Sequence, residues 1–145
     1  MDYKEMMKKH QDEYDVFANG KIFYIFAFNK DDFKKRLAEN GVTQEEEISH
    51  IFGGAYIKKI YKQDLIDMFH RQKEEKRNAI NADKDGTGFI KSMFLYELAN
   101  HEFAYTYDVE DTLNSLHLTP DDINNNPALK NGLDLAVKEI IRDEE

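Results

Sequence analysis

The sequence predicts an α+β fold, a small antiparallel sheet of about three strands packed with five or six helices. Three observations predict it. Lys21–Phe28, KIFYIFAF, is a continuous aromatic and β-branched run of strand length. Residues 47–60, EISHIFGGAYIKKI, break at Gly53-Gly54 and so read as two short strands, Glu47–Phe52 and Ala55–Lys59, joined by a tight turn. Most of the remainder places apolar residues at i, i+3 or i+4, and i+7, the period of a half-buried helix.

Taken in order, Tyr3, Met6, Met7, His10, Tyr14 and Phe17 form the stripe of a first helix over residues 3–18, which Asn19-Gly20 stops. The run Lys21–Phe28 is apolar throughout, so it is expected to be covered on both faces and to form the centre of the sheet. Asn29 is a good helix cap, followed by Asp31 and Asp32 in a first turn that suits the helix dipole. Phe33 and Leu37 face inward from that helix, and Asn40-Gly41 ends it. From Asp64 to about Asn81 a helix turns Leu65, Met68 and Phe69 inward, and its RQKEEKR half is a solvated charge run.

Another helix runs from about Phe89 to Asn100. Phe103–Tyr107 alternates aromatic and small residues, as an extended segment would. Asp108 is expected to cap a helix striped by Val109, Leu113 and Leu116. Thr119-Pro120 opens a short acidic turn and Asn126-Pro127 opens the last helix. That helix should bury Leu129, Leu133, Ala136 and Ile140, and its RDEE tail should fray.

At 145 residues, 41% hydrophobic and 34% charged, the chain suits one globular domain over residues 1–145 with a sizeable core. Cysteine is absent, which removes disulfides, thiolate metal sites and cysteine nucleophiles and fits a reducing cytoplasm. The longest apolar run, Ile22–Phe28, is far short of a membrane span, and the first residues are too polar for a signal peptide.

Charge is unevenly distributed. Residues 1–91 hold 17 acidic and 17 basic side chains, so the net −9 resides in residues 92–145, with 12 acids against Lys130, Lys138 and Arg142. Duplex binding needs the opposite sign, so direct nucleic-acid binding is not expected. An acidic surface instead steers a chain toward a basic partner.

Two polar constellations carry chemical meaning. Asp83, Asp85, Thr87 and Gly88 match positions one, three, five and six of an EF-hand calcium loop, and Ile90 matches the apolar eighth. Position twelve, the bidentate glutamate, is Phe94 instead, and no second hand is present, so a polar turn between helices is the expected role. Glu97 and His101 stand one turn apart on the apolar face shared with Met93 and Phe94. A buried carboxylate beside an imidazole is a structural pin. With Asp108 it is also the one metal centre to consider, taking zinc or manganese in a metal-binding protein or hydrolase. No nucleophile elbow surrounds Ser49, Ser92 or Ser115, and no catalytic motif is complete, so a non-enzymatic role without a cofactor is expected.

The order GKIFYIFAFN, FGGAYIKK, FLYELANHEFAYTYD and TLNSLHLT resembles an uncharacterised family of small acidic proteins from phages and mobile elements. The resemblance covers about residues 18–120 and is most specific at Tyr96–Leu98, Asn100–Glu102 and Tyr107-Asp108. It implies the same strand, helix, glycine-hairpin and helix order, and no assigned activity. The setting is similar to that of anti-CRISPR and antirestriction proteins, in which carboxylates stand in for DNA phosphates. That analogy, together with the acidic charge of residues 92–145, leads to the expectation of inhibition of a basic host protein, such as the nuclease Cas9, through Glu110, Asp111, Asp121, Asp122, Asp134 and Glu139. A structural or oligomeric phage component is the third class.

Overall fold

The computed structural model describes residues 1–144. The elements run α1 (Tyr3–Ala18), β1 (Ile22–Tyr24), α2 (Lys30–Glu39), β2 (Ile48–His50), β3 (Ala55–Lys58), α3 (Lys62–Ala82), α4 (Phe89–Asn100), α5 (Phe103–Thr106), α6 (Glu110–Ser115), α7 (Pro120–Asn125) and α8 (Pro127–Glu144). The fold is α+β, with one three-stranded antiparallel sheet. Contacts gather the chain into two compact units, one of Met1–Lys9 with Glu74–Glu145, the other of His10–Lys73.

The unit of residues 10–73 is built on the sheet, in the order β1-β3-β2. This corrects the expectation that Lys21–Phe28 is the central strand. The centre is β3, because it pairs with its hairpin partner β2 on one side and with β1 on the other. Only Ile22–Tyr24 pair fully, with Ile57, Tyr56 and Ala55, and the Ile25 amide adds one bond to the Gly54 carbonyl at 2.8 Å. Phe26 and Phe28 then run out into solvent, so the run is not covered on both faces.

Alternate residues of β1 and the residue that follows it divide between two small cores. Phe23 and Ile25 join Phe33 and Leu37 of α2, Val42, Ile48 and Tyr56. Ile22 joins Tyr14, Phe17, Ile57, Leu65 and Met68. Phe69 stacks on Tyr14 yet is exposed, contrary to the inward position expected for it. The predicted glycine turn forms, with Gly53 at φ +51° and the Ala55 amide bonded to the Phe52 carbonyl at 2.8 Å. Asn29 caps α2 as its sequence position requires, accepting from the Asp32 amide at 2.8 Å.

In the unit of residues 1–9 with 74 onward, α4 packs along α8 over Phe89, Ile90, Met93, Phe94 and Leu98 against Leu129, Leu133 and Ala136. Gly132 sets the closeness of that contact. A Cβ there would lie 2.5 Å from Ile90 Cγ2 and 2.8 Å from the Gly86 carbonyl. Tyr3 and Met6 bring the start of α1 into the same core. The segment expected to be extended, Phe103–Tyr107, holds the single-turn helix α5, bounded by Glu102 and Tyr107 in left-handed conformations. α8 continues as helix to Glu144, where the tail was expected to fray; Glu145 lies outside the described residues.

Candidate functional site

The calcium-loop resemblance resolves into a helix cap. Asp83 accepts from the amides of Gly86 at 3.2 Å, Gly88 at 3.1 Å and Ile90 at 2.9 Å, satisfying donors that the start of α4 leaves open. Asp85 accepts from the Thr87 hydroxyl at 2.7 Å and its amide at 3.0 Å, which hold its carboxyl below the usual range. Gly86, at φ +79°, seats the loop against α8, and Asn131 Nδ2 donates to the Asp85 carbonyl at 2.8 Å. Phe94, at the position of the missing glutamate, is fully buried core.

The Glu97–His101 pair forms as the helical spacing requires, with Glu97 Oε2 3.5 Å from His101 Nε2. Glu97 is 7% exposed, among apolar side chains of α4. A third partner completes it. Tyr3 donates its hydroxyl to Glu97 Oε1 at 2.6 Å, and the Tyr3 amide donates to Ser92 Oγ at 3.0 Å. Thr112, also buried, donates to the Glu97 carbonyl at 3.4 Å. Burial, then the bond to Glu97, push the Tyr3 phenol far above its ordinary value.

Sequence reading missed Tyr3 because 94 positions separate it from Glu97. Its one signal is a hydroxyl at the head of the α1 stripe, which needs a polar partner when buried.

Asp108 does not join them. Among the described residues no cluster of three or more His, Asp or Glu side chains is arranged to hold a metal. Asp108 instead accepts from the Glu110 amide at 2.9 Å, one residue ahead of the Val109 cap of α6. The arrangement around Glu97 is a buried hydrogen-bonded pin that fixes the first turn of α1 to α4.

The six carboxylates expected to meet a partner divide by environment. Glu110 and Asp111 are exposed in the first turn of α6, and Asp121 is exposed in the first turn of α7. Asp134 is exposed on α8. Asp122 is exposed but committed to a capping box, accepting from the Thr119 amide at 2.9 Å while Thr119 accepts from the Asp122 amide at 3.1 Å. Glu139 is half-buried and bonded to Lys91 Nζ at 3.1 Å, with Arg142 Nη2 3.9 Å away. Four of the six are therefore left to solvent.

The unit that carries them holds 18 acids and 10 Lys/Arg, a net −8, whereas residues 10–73 hold 11 and 10, a net −1. The charge asymmetry of the sequence is a property of one unit. A 340 Å³ cleft in the other unit, lined by Lys34, Leu37, Val42 and Thr43–Glu46, has no residue of this set. Among the described residues no helix is long and apolar enough to cross a membrane.

No curated protein and no solved structure matches the chain. A family model matches residues 2–139, and the chain belongs to that family, a family of unknown function designated DUF7659.

Proposed function

We propose that this chain is a non-enzymatic binding protein whose acidic unit engages a basic protein, and that its partner is a nuclease whose DNA groove the carboxylates occupy. The observation that carries this reading is the gathering of the net charge, −8 of −9, in one compact unit whose Glu110, Asp111, Asp121 and Asp134 are solvent-exposed. Charge of one sign draws an oppositely charged surface at long range and contributes to both association rate and register. A groove built for duplex DNA is adapted to about one negative charge per 1.7 Å, which makes it a natural receptor for exposed carboxylates. Origin in a phage or mobile element, and inhibition of a host defence nuclease, belong to the same proposal.

The test is competition. A basic nuclease retained by the immobilised chain should lose labelled duplex DNA as the chain is added, and cleavage should fall in parallel. Substituting Glu110, Asp111, Asp121 and Asp134 with Gln or Asn should abolish both effects. Undiminished inhibition by that variant would overturn the reading.

A further inference from the structure

The sequence holds three Asn-Gly pairs, at 19–20, 40–41 and 131–132. Such a pair can modify itself. The glycine amide nitrogen attacks the asparagine Cγ, the Cγ–Nδ2 bond breaks, and ammonia leaves with the proton of the attacking nitrogen. Water then opens the resulting cyclic imide at either carbonyl, leaving aspartate or isoaspartate. Glycine favours the closure because it has no side chain to block the approach and its backbone turns freely. The reaction needs the glycine nitrogen uncommitted and the asparagine side chain able to swing onto it. The fold treats the three pairs differently in both respects.

Asn131-Gly132 is locked inside α8. Asn131 Nδ2 donates to the Asp85 carbonyl at 2.8 Å. Gly132 is buried, with a Cβ position 2.5 Å from Ile90 Cγ2, and its place in the helix interior commits its amide to the preceding turn. Asn40-Gly41 closes α2 in a Schellman arrangement. The Gly41 amide donates to the Ala38 carbonyl and the Val42 amide to the Leu37 carbonyl, both at 3.0 Å. Asn40 Nδ2 donates to the Arg36 carbonyl at 2.8 Å. The nucleophile and the group it would attack are both occupied.

Asn19-Gly20 follows α1 in a different turn. The closing bond there runs from the Lys21 amide to the Ala18 carbonyl at 3.0 Å, so Asn19 and Gly20 are the two central residues, with Gly20 at φ +77°. This is the closure of a β-turn with glycine at its third position, and it leaves the Asn19-Gly20 peptide out of the closing bond. Both residues are exposed, and a Cβ on Gly20 would meet nothing within 4 Å.

We propose that Asn19-Gly20 is a self-modification site, which deamidates in the folded chain while hydrogen bonds protect the other two pairs. The substrate is the chain itself and the co-reactant is water. The new carboxyl is ionised at neutral pH, so each event adds one negative charge to a unit that carries a net −1. Where isoaspartate forms, the backbone gains a carbon between α1 and the edge strand β1. That extra length falls just ahead of the Lys21 carbonyl, which accepts from the Lys58 amide at 3.3 Å.

Peptide mapping tests the proposal, because trypsin places the three pairs on separate peptides, 10–21, 37–58 and 131–138. The folded full chain is aged in mildly alkaline buffer, and mass spectrometry follows the exchange of the amide for a carboxyl on each peptide. Chromatography separates the isoaspartyl from the aspartyl product. Asn19 should convert at least about 10-fold faster than Asn40 or Asn131, since each of these must first give up its hydrogen bonds through a local opening. The chain aged unfolded in urea should lose that ranking. Equal conversion of the three pairs in the folded chain, or a lead for Asn40 or Asn131, would overturn the proposal. So would an Asn19 that converts only in urea, or a lead for Asn19 that persists undiminished there, which would assign it to neighbouring residues and not to the turn.

Discussion

Tyr3 donates its hydroxyl to Glu97 Oε1 at 2.6 Å, joining the first residue of α1 to a buried carboxylate 94 positions away. Glu97 is otherwise met on its side chain by His101, at 3.5 Å. Removing the phenol leaves the carboxylate short of a donor in a poorly hydrated place. Tyr3→Phe should therefore cost about 1–3 kcal/mol by denaturant unfolding. Combining it with Glu97→Leu should cost less than the sum of the two single changes, a coupling of about 1 kcal/mol or more. Strict additivity would show that the bond does not contribute to stability.

The same hydroxyl makes the fold sensitive to alkali. Burial raises the Tyr3 phenol above the ordinary tyrosine value of 10.0, and burial followed by the neighbouring Tyr24 hydroxyl raises Tyr14 to about 12, although Tyr14 Oη has no hydrogen bond of ordinary length. Both groups release protons more readily when unfolded, so their contribution is complete below about pH 10 and declines as pH rises beyond it. Unfolding midpoints measured at pH 8 and pH 11 should fall in the wild type, and fall less in Tyr3→Phe. An equal fall in both would assign the alkaline loss to other groups.

The contact between the Asp83–Gly88 loop and α8 depends on two missing side chains. Gly86→Ala combines φ +79° with a Cβ 2.0 Å from the Ala128 carbonyl, so it should cost about 3 kcal/mol or more. Gly132→Ala drives a methyl into Ile90 and should cost about 1–3 kcal/mol. Gly41→Ala has open space and only the left-handed strain, about 1 kcal/mol. Thermal unfolding of the three variants should preserve that order.

Asp83 should behave as a cap rather than as a calcium ligand. Asp83→Ala loses three acceptor contacts at the start of α4 and should cost about 1–2 kcal/mol. Calcium up to about 1 mM, where even weak loops of this type fill, should leave the melting temperature unchanged. A calcium-dependent rise that disappears in Asp83→Ala would restore the metal reading of the loop.

Local chemistry was the legible part of the sequence. Asn29, Thr119 and the Gly53-Gly54 turn do what their side chains, or lack of one, dictate. The stripes at Leu65 and Met68, and at Leu129, Leu133 and Ala136, are buried as their spacing requires. The Glu97–His101 pairing follows from one turn of helix.

What escaped is whatever the chain's path decides. The apolar content of Lys21–Phe28 could not reveal that β3 would take the central place, because strand order follows from pairing and not from hydrophobicity. Helix α5 was hidden because Glu102 and Tyr107 adopt left-handed conformations that composition marks only for glycine or asparagine. Glu139 was expected to face a partner, and no local signal showed that Lys91, 48 residues earlier, would take it.

The most direct measurement is retention of a basic protein on the immobilised chain at about 0.05 M and 0.5 M salt, comparing wild type with the variant neutralised at Glu110, Asp111, Asp121 and Asp134. The proposed function requires a basic nuclease that is retained by the wild type at low salt, released at high salt and not retained by the variant. Retention that neither salt nor neutralisation weakens would contradict it.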